Sequence, residues 1–138
     1  MSQFVGNIDD FGMDTISFAG PLEAKLKATR EAGFSQIMLA ARDLVGHADG
    51  WQAAVAAVKA SGLRVTGFQV LRGHLHEYKI DIAKSMLEMC HALDCGVMLM
   101  CSSTSTHATS DTDALVKDLR KLAMLAIPMN IKIAYEAL

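Results

Sequence analysis

The feature that most constrains this chain is its period. Apolar runs suited to buried strands alternate with amphipathic segments suited to helices, and the pair recurs roughly every 28 residues. The runs are MDTISFA (13–19), FSQIMLAA (34–41), RVTGFQVL (64–71), GVMLMC (96–101) and IKIAYEAL (131–138). Helices are expected between them over 21–32, 51–61, 78–93 and 113–126. The punctuation agrees with this division. Gly20-Pro21 opens the first helix, Gly33 and Gly62 stop the first two, and Pro128 and Asn130 close the last. RDLVGHADG (42–50) reads as a loop, and the polar stretch before 113 ends in residues that cap helices well. Leu22 and Leu26 set the buried face of the first helix, and Ile82, Met86 and Met89 that of the third.

Strands joined by helical crossovers form a parallel sheet, and continuous apolar runs are what strands covered on both faces require. One strand and one helix per repeat matches the unit of a (β/α)8 barrel, which takes about 250 residues to close. Five strands and four helices in 138 residues give the first half of such a barrel and one strand more. The expected fold is therefore a single α/β half-barrel over 1–138, with residues 1–11 outside the repeat and poorly ordered. Two bare sheet edges are a liability. They point to self-association between copies of the chain or to rearrangement into an open, flavodoxin-like sheet with helices on both faces.

Composition narrows the function. A net charge of −2 offers no footprint for nucleic acid or anionic membrane. No apolar run reaches the roughly 18 residues of a membrane-spanning helix. The start, MSQFVGNIDDFG, carries acids where a secretion signal needs bases, so a cytoplasmic location is expected. Cys90, Cys95 and Cys101 lack CxxC spacing and read as buried reduced thiols. Among the nine methionines, Met86, Met89, Met98, Met100 and Met124 read as core filler. No phosphate-cradling glycine loop is present.

Barrel chemistry happens at the C-terminal ends of the strands. Glu136 stands at that end of the fifth strand, a place for a carboxylate that holds a hard cation such as Mg²⁺ or Mn²⁺. Gln69 and Arg72 end the third strand, where an arginine can pair a substrate carboxylate. Ser102, Ser103, Thr104 and His107 follow the fourth strand and can donate hydrogen bonds at the same mouth. His47, near Arg42 and Asp43, follows the second. His74 and His76 form an HxH that does not share a face once the chain turns helical. His91 falls on a helix, either at its surface or in its packing. No residue is singled out as the catalytic base.

The phrases GFSQIMLAARDLVGH, SGLRVTGFQVLR, HEYKIDIAKSMLEMC, CSSTSTHA, DLRKLAMLA and IKIAYEAL together resemble the sugar phosphate isomerase/epimerase superfamily, the xylose isomerase-like TIM barrels. Within it they look most like bacterial 3-dehydroshikimate dehydratases. The resemblance runs from about residue 12 onward and covers the N-terminal half of such an enzyme. It implies a metal-dependent lyase that converts 3-dehydroshikimate to protocatechuate. Glu136 would be the first of four metal ligands, the others coming from strands six to eight. A substrate of that kind would be held by Gln69, Arg72, Ser102 and His107. Where the family carries a longer loop after the third strand, FQVLR here runs directly into GHLHEYK. Two other readings stay open: a self-associating half-barrel that binds no metal and lacks catalysis, and an isomerase or epimerase acting on another sugar or polyol.

Overall fold

A computed structural model describes residues 6–70, 80–101 and 111–136. Its strands are β1 (Met13–Asp14), β2 (Gln36–Ala40), β3 (Arg64–Gln69), β4 (Val97–Cys101) and β5 (Lys132–Glu136). Its helices are α1 (Leu22–Glu31), α2 (Ala41–Val45), α3 (Trp51–Ser61), α4 (Ile80–Ala92) and α5 (Thr112–Ala126). The strands lie in one parallel sheet in the order β1-β2-β3-β4-β5. Right-handed crossovers between neighbours taken in sequence put every helix on the same side. This is a wall of a barrel, left open, and it overturns the flavodoxin-like alternative, whose strand order reverses partway.

The sheet has two unlike faces. Ile37, Leu39, Phe68 and Met98 point toward the helices and are fully buried. They share one core with Leu22 and Leu26 of α1, Val58 of α3, Leu87 and Cys90 of α4, and Leu122 and Ala126 of α5. Alternation along each strand sends Met38, Gln69, Leu99 and Ala134 to the concave side, where they are half-buried. A register shift between Ile37 and Met38 brings Gly67 opposite Met38. A Cβ on Gly67 would meet the Met38 Sδ at 3.1 Å, so the absent side chain permits this approach.

The helix ends follow the sequence signals. Gly62 caps α3 at φ 72° and Asn130 closes the turn after α5 at φ 56°. Asp111 accepts a hydrogen bond from the Ala114 amide at 3.0 Å. Four expectations need correction. The strand expected over 13–19 is two residues long, because Asp14 takes the Ile16 amide and bends Thr15–Ser17 into a 3₁₀ turn. The loop expected over 42–50 begins with α2, a single helical turn directly after β2. Ile82 is 57% exposed, since α4 buries the row Ala83, Leu87 and Cys90 instead. Met124 is 70% exposed on the outer side of α5 and fills no core.

A polar knot ties the β1 and β2 ends together. Lys25 is 4% exposed, and its Nζ donates to Asp43 at 2.7 Å and to the Thr15 carbonyl at 3.1 Å. The Thr15 hydroxyl accepts from the Ala40 amide at 2.9 Å. Burying this pair is justified only while both charges are present, because a lone buried ion keeps its desolvation cost.

Two stability predictions follow from these contacts. Lys25→Ala is expected to cost about 3–5 kcal/mol by urea unfolding, with the double variant Lys25→Met/Asp43→Leu recovering much of it. Gly62→Ala, which puts a Cβ on a left-handed residue, is expected to cost about 1 kcal/mol in the same assay.

Candidate functional site

The register of the last three strands sets the geometry. Gln69 pairs with Leu99, and Cys101 pairs with Glu136. In parallel strands, paired residues face the same way, so Gln69, Cys101 and Glu136 all lie on the concave side at the C-terminal rim. Their side chains form a chain of contacts. The Gln69 Nε2 donates to the Cys101 Sγ at 3.6 Å, and the Cys101 thiol donates to the Glu136 Oε2 at 3.2 Å. Cys101 is 7% exposed, whereas Glu136 opens to solvent. The Gln69 Oε1 is buried and has no hydrogen-bond partner among the described residues.

A buried amide oxygen without a partner is costly unless something beyond the described residues satisfies it. A cation or a ligand hydroxyl would do so. With the Glu136 carboxylate on the same rim, beyond Cys101, the rim presents oxygen donors of the type that Mg²⁺ and Mn²⁺ take. The donor set therefore fits a divalent ion. Among the described residues no group of three or more His, Cys, Asp and Glu side chains comes together as a metal cage.

Of the residues singled out in the sequence, Gln69 and Glu136 share the rim, each in contact with Cys101. Arg72, His74, His76, Ser102, Ser103, Thr104 and His107 lie outside the described residues. His47 belongs elsewhere. Its Nδ1 accepts from the Asp49 amide at 3.2 Å, which leaves Nε2–H to donate to Glu23 at 2.7 Å. That hydrogen bond holds the Glu23 carboxyl below its ordinary value. Arg42 reaches the Ile16 carbonyl at 3.4 Å and Asp43 belongs to the polar knot. His91 is exposed on α4, the surface alternative of the two.

The member that sequence reasoning missed is Cys101, read there as a buried reduced thiol. Its burial supports that reading, yet its sulphur touches both other members of the rim. The signal was its place: the last residue of β4, one strand over from Glu136. Cys90 and Cys95 are also buried and reduced. They sit below β4, at its opposite end, where the Cys95 Sγ donates to the Val97 carbonyl at 3.2 Å. A thiol–thiol hydrogen bond pushes the Cys90 thiol up and brings Cys95 down to about 7.

The comparisons with known proteins agree with this geometry. The 3-dehydroshikimate dehydratases of Pseudomonas aeruginosa and Pseudomonas putida are 32% and 29% identical to the chain over 131 and 130 residues. Each match covers 90% of the chain, which spans only about a fifth (20%) of these relatives' length. A xylose isomerase-like TIM barrel/4-hydroxyphenylpyruvate dioxygenase fusion protein superposes with a TM-score of 0.78 at 28% identity, over 92% of this chain and 21% of that one. The IolI protein, solved with a bound zinc atom, has the same fold at a TM-score of 0.73 and 17% identity, over 92% of this chain and 51% of its own. No helix among the described residues is long and apolar enough to cross a membrane. A family profile described as "Xylose isomerase-like TIM barrel" matches residues 26–138, and with the parallel wall and its rim in place, the chain belongs to that family.

Proposed function

We propose that the rim formed by β3, β4 and β5 is the metal-bearing part of a lyase site of the 3-dehydroshikimate dehydratase type. The observation that carries this reading is that the Glu136 carboxylate and the orphaned Gln69 oxygen lie on one rim, at the C-terminal ends of β5 and β3, with β4 between them. The relatives' activity supports the choice of substrate class. A divalent ion bound there, Mg²⁺ or Mn²⁺, would supply Lewis acidity toward a ketone oxygen. Glu136 would hold that ion. The Gln69 Oε1 would accept from a substrate hydroxyl, and Arg72, Ser102 and His107, which follow β3 and β4 in sequence, would contact its carboxylate and other hydroxyls. Loss of a proton beside the polarised carbonyl and of a hydroxide from the ring removes one water and yields an aromatic product. Three further ligands come from outside these 138 residues, so the chain alone is expected to bind the ion without turning over substrate.

Mn²⁺ titration by calorimetry tests this reading. The chain is expected to bind one ion, and Glu136→Gln to weaken binding by about tenfold or more. An unchanged affinity in that variant would remove Glu136 from the site. Protocatechuate formation, followed by its absorbance after adding 3-dehydroshikimate and Mn²⁺, is expected only when the missing ligands are provided.

The outer edges of β1 and β5 have no strand partner among the described residues, which supports self-association of the chain in a cytoplasmic setting. Light scattering on a size-exclusion column is expected to give a dimer or a larger closed assembly. A monomer would exclude edge pairing.

A further inference from the structure

We infer that Cys90 and Cys95 are a modification site, a thiol pair that closes to a reversible disulfide at the junction of α4 and β4 by exchange with a small soluble disulfide. The pair lies at the opposite end of β4 from the rim, so the inference does not rest on any metal there.

The end of α4 sets the geometry. The Cys95 amide donates to the Cys90 carbonyl at 3.1 Å, and the Asp94 amide donates to the His91 carbonyl at 3.0 Å. Asp94 itself stands in the left-handed region at φ 54°. Together these make a Schellman motif, which ends a helix by bringing the first and sixth residues of the turn together, side chains included. Apolar side chains ordinarily make that contact. Here both positions are cysteines. Their thiols share a hydrogen bond, and the Cys90 sulphur lies 3.3 Å from the Cys95 carbonyl oxygen. Both sulphurs also lie against the one carbonyl of Val97, at 3.8 Å for Cys90 and 3.2 Å for Cys95. A disulfide spans about 4.4–6.8 Å between Cα atoms and needs side chains that face each other. A turn closed by the backbone at its two cysteines, with their thiols in contact, meets that need without moving a strand.

The two sulphurs are unlike. The hydrogen bond from Cys90 steadies the Cys95 thiolate and brings that thiol down to about 7, while the same bond and burial push Cys90 up. Cys95 is therefore the attacking sulphur and Cys90 the resolving one. The Cys95 thiolate attacks the small disulfide, forms a mixed disulfide and displaces one small thiolate. The Cys90 sulphur then attacks the Cys95 sulphur and displaces the second. The two departing thiolates take up the two protons that the cysteines release, so two protein thiols are oxidised and one small disulfide is reduced. Cys90 and Cys95 are 0% and 3% exposed, but Cys95 stands between the exposed Asp94 and Gly96 at a helix end, where local opening is least costly. The disulfide has no S–H to donate, so its formation takes both donors off the Val97 carbonyl at the first residue of β4.

Exposure of the folded, reduced chain to oxidised glutathione tests this, read by intact mass and by free thiols counted after denaturation. The chain is expected to lose two hydrogens, to retain no glutathione and to fall from three free thiols to one, with dithiothreitol restoring all three. Cys101→Ser, which removes the thiol at the rim, is expected to close the same disulfide. Cys90→Ser is expected to stop at one glutathione bound to Cys95, and Cys95→Ser to stay reduced. Should either of these last two lose its helical circular dichroism, the masses of the unsubstituted chain and of Cys101→Ser decide alone. Three free thiols after exposure, glutathione retained in place of the lost hydrogens, a disulfide between two chains, or a disulfide missing from Cys101→Ser would overturn the inference.

Discussion

Parallel pairing in sequence order is the constraint from which the remaining features follow. Because β3, β4 and β5 run side by side in one direction, their C-terminal ends form a common rim. Because every crossover has the same hand, the helices crowd one face and bury Ile37, Leu39, Phe68 and Met98. The other face needs no such cover, so it can carry Gln69 and Glu136 at modest cost. An antiparallel arrangement of the same strands would have sent Cys101 to the end of the sheet opposite Gln69 and Glu136 and broken the contacts that link them.

Much of this was legible in the sequence because its signals are local. The 3.6-residue and two-residue periods separate helices from strands without knowledge of what packs against them. Gly62 and Asn130 mark helix ends through backbone conformations that few residues tolerate. Glu136 and Gln69 were legible as rim residues because each ends a strand, and a strand's end is fixed by the chain itself. The family resemblance drew on the same segments.

The features that escaped notice depend on partners far away in sequence. Lys25 reads as one more charge on an amphipathic helix; only its meeting with Asp43, eighteen positions on, reveals a buried ion pair. Ile82 and Met124 satisfy an apolar pattern, yet the row that α4 buries is set by where β4 and α5 lie, and that row leaves Ile82 outside. The short β1 is a contest between strand pairing and the Asp14 side chain, which takes the Ile16 amide at 3.0 Å and ends the strand. Residue type alone decides none of these outcomes.

Cys101 shows how the two kinds of information combine. By composition it is a small hydrophobe, and its burial satisfies that description. By register it is the neighbour of a carboxylate on one strand and of an amide on another. A thiol needs no hydrogen bond to be comfortable in a core, so its contacts with Gln69 and Glu136 are not required by its own burial. They are better explained by what they do to the neighbours. The thiol fixes one oxygen of Glu136, and Gln69 is drawn against the sulphur with its own oxygen left over. The rim is therefore held together by two weak hydrogen bonds that share one sulphur. One residue at the end of β4 thus links the amide on one neighbouring strand to the carboxylate on the other, and the arrangement of the rim depends on it as directly as on either of them.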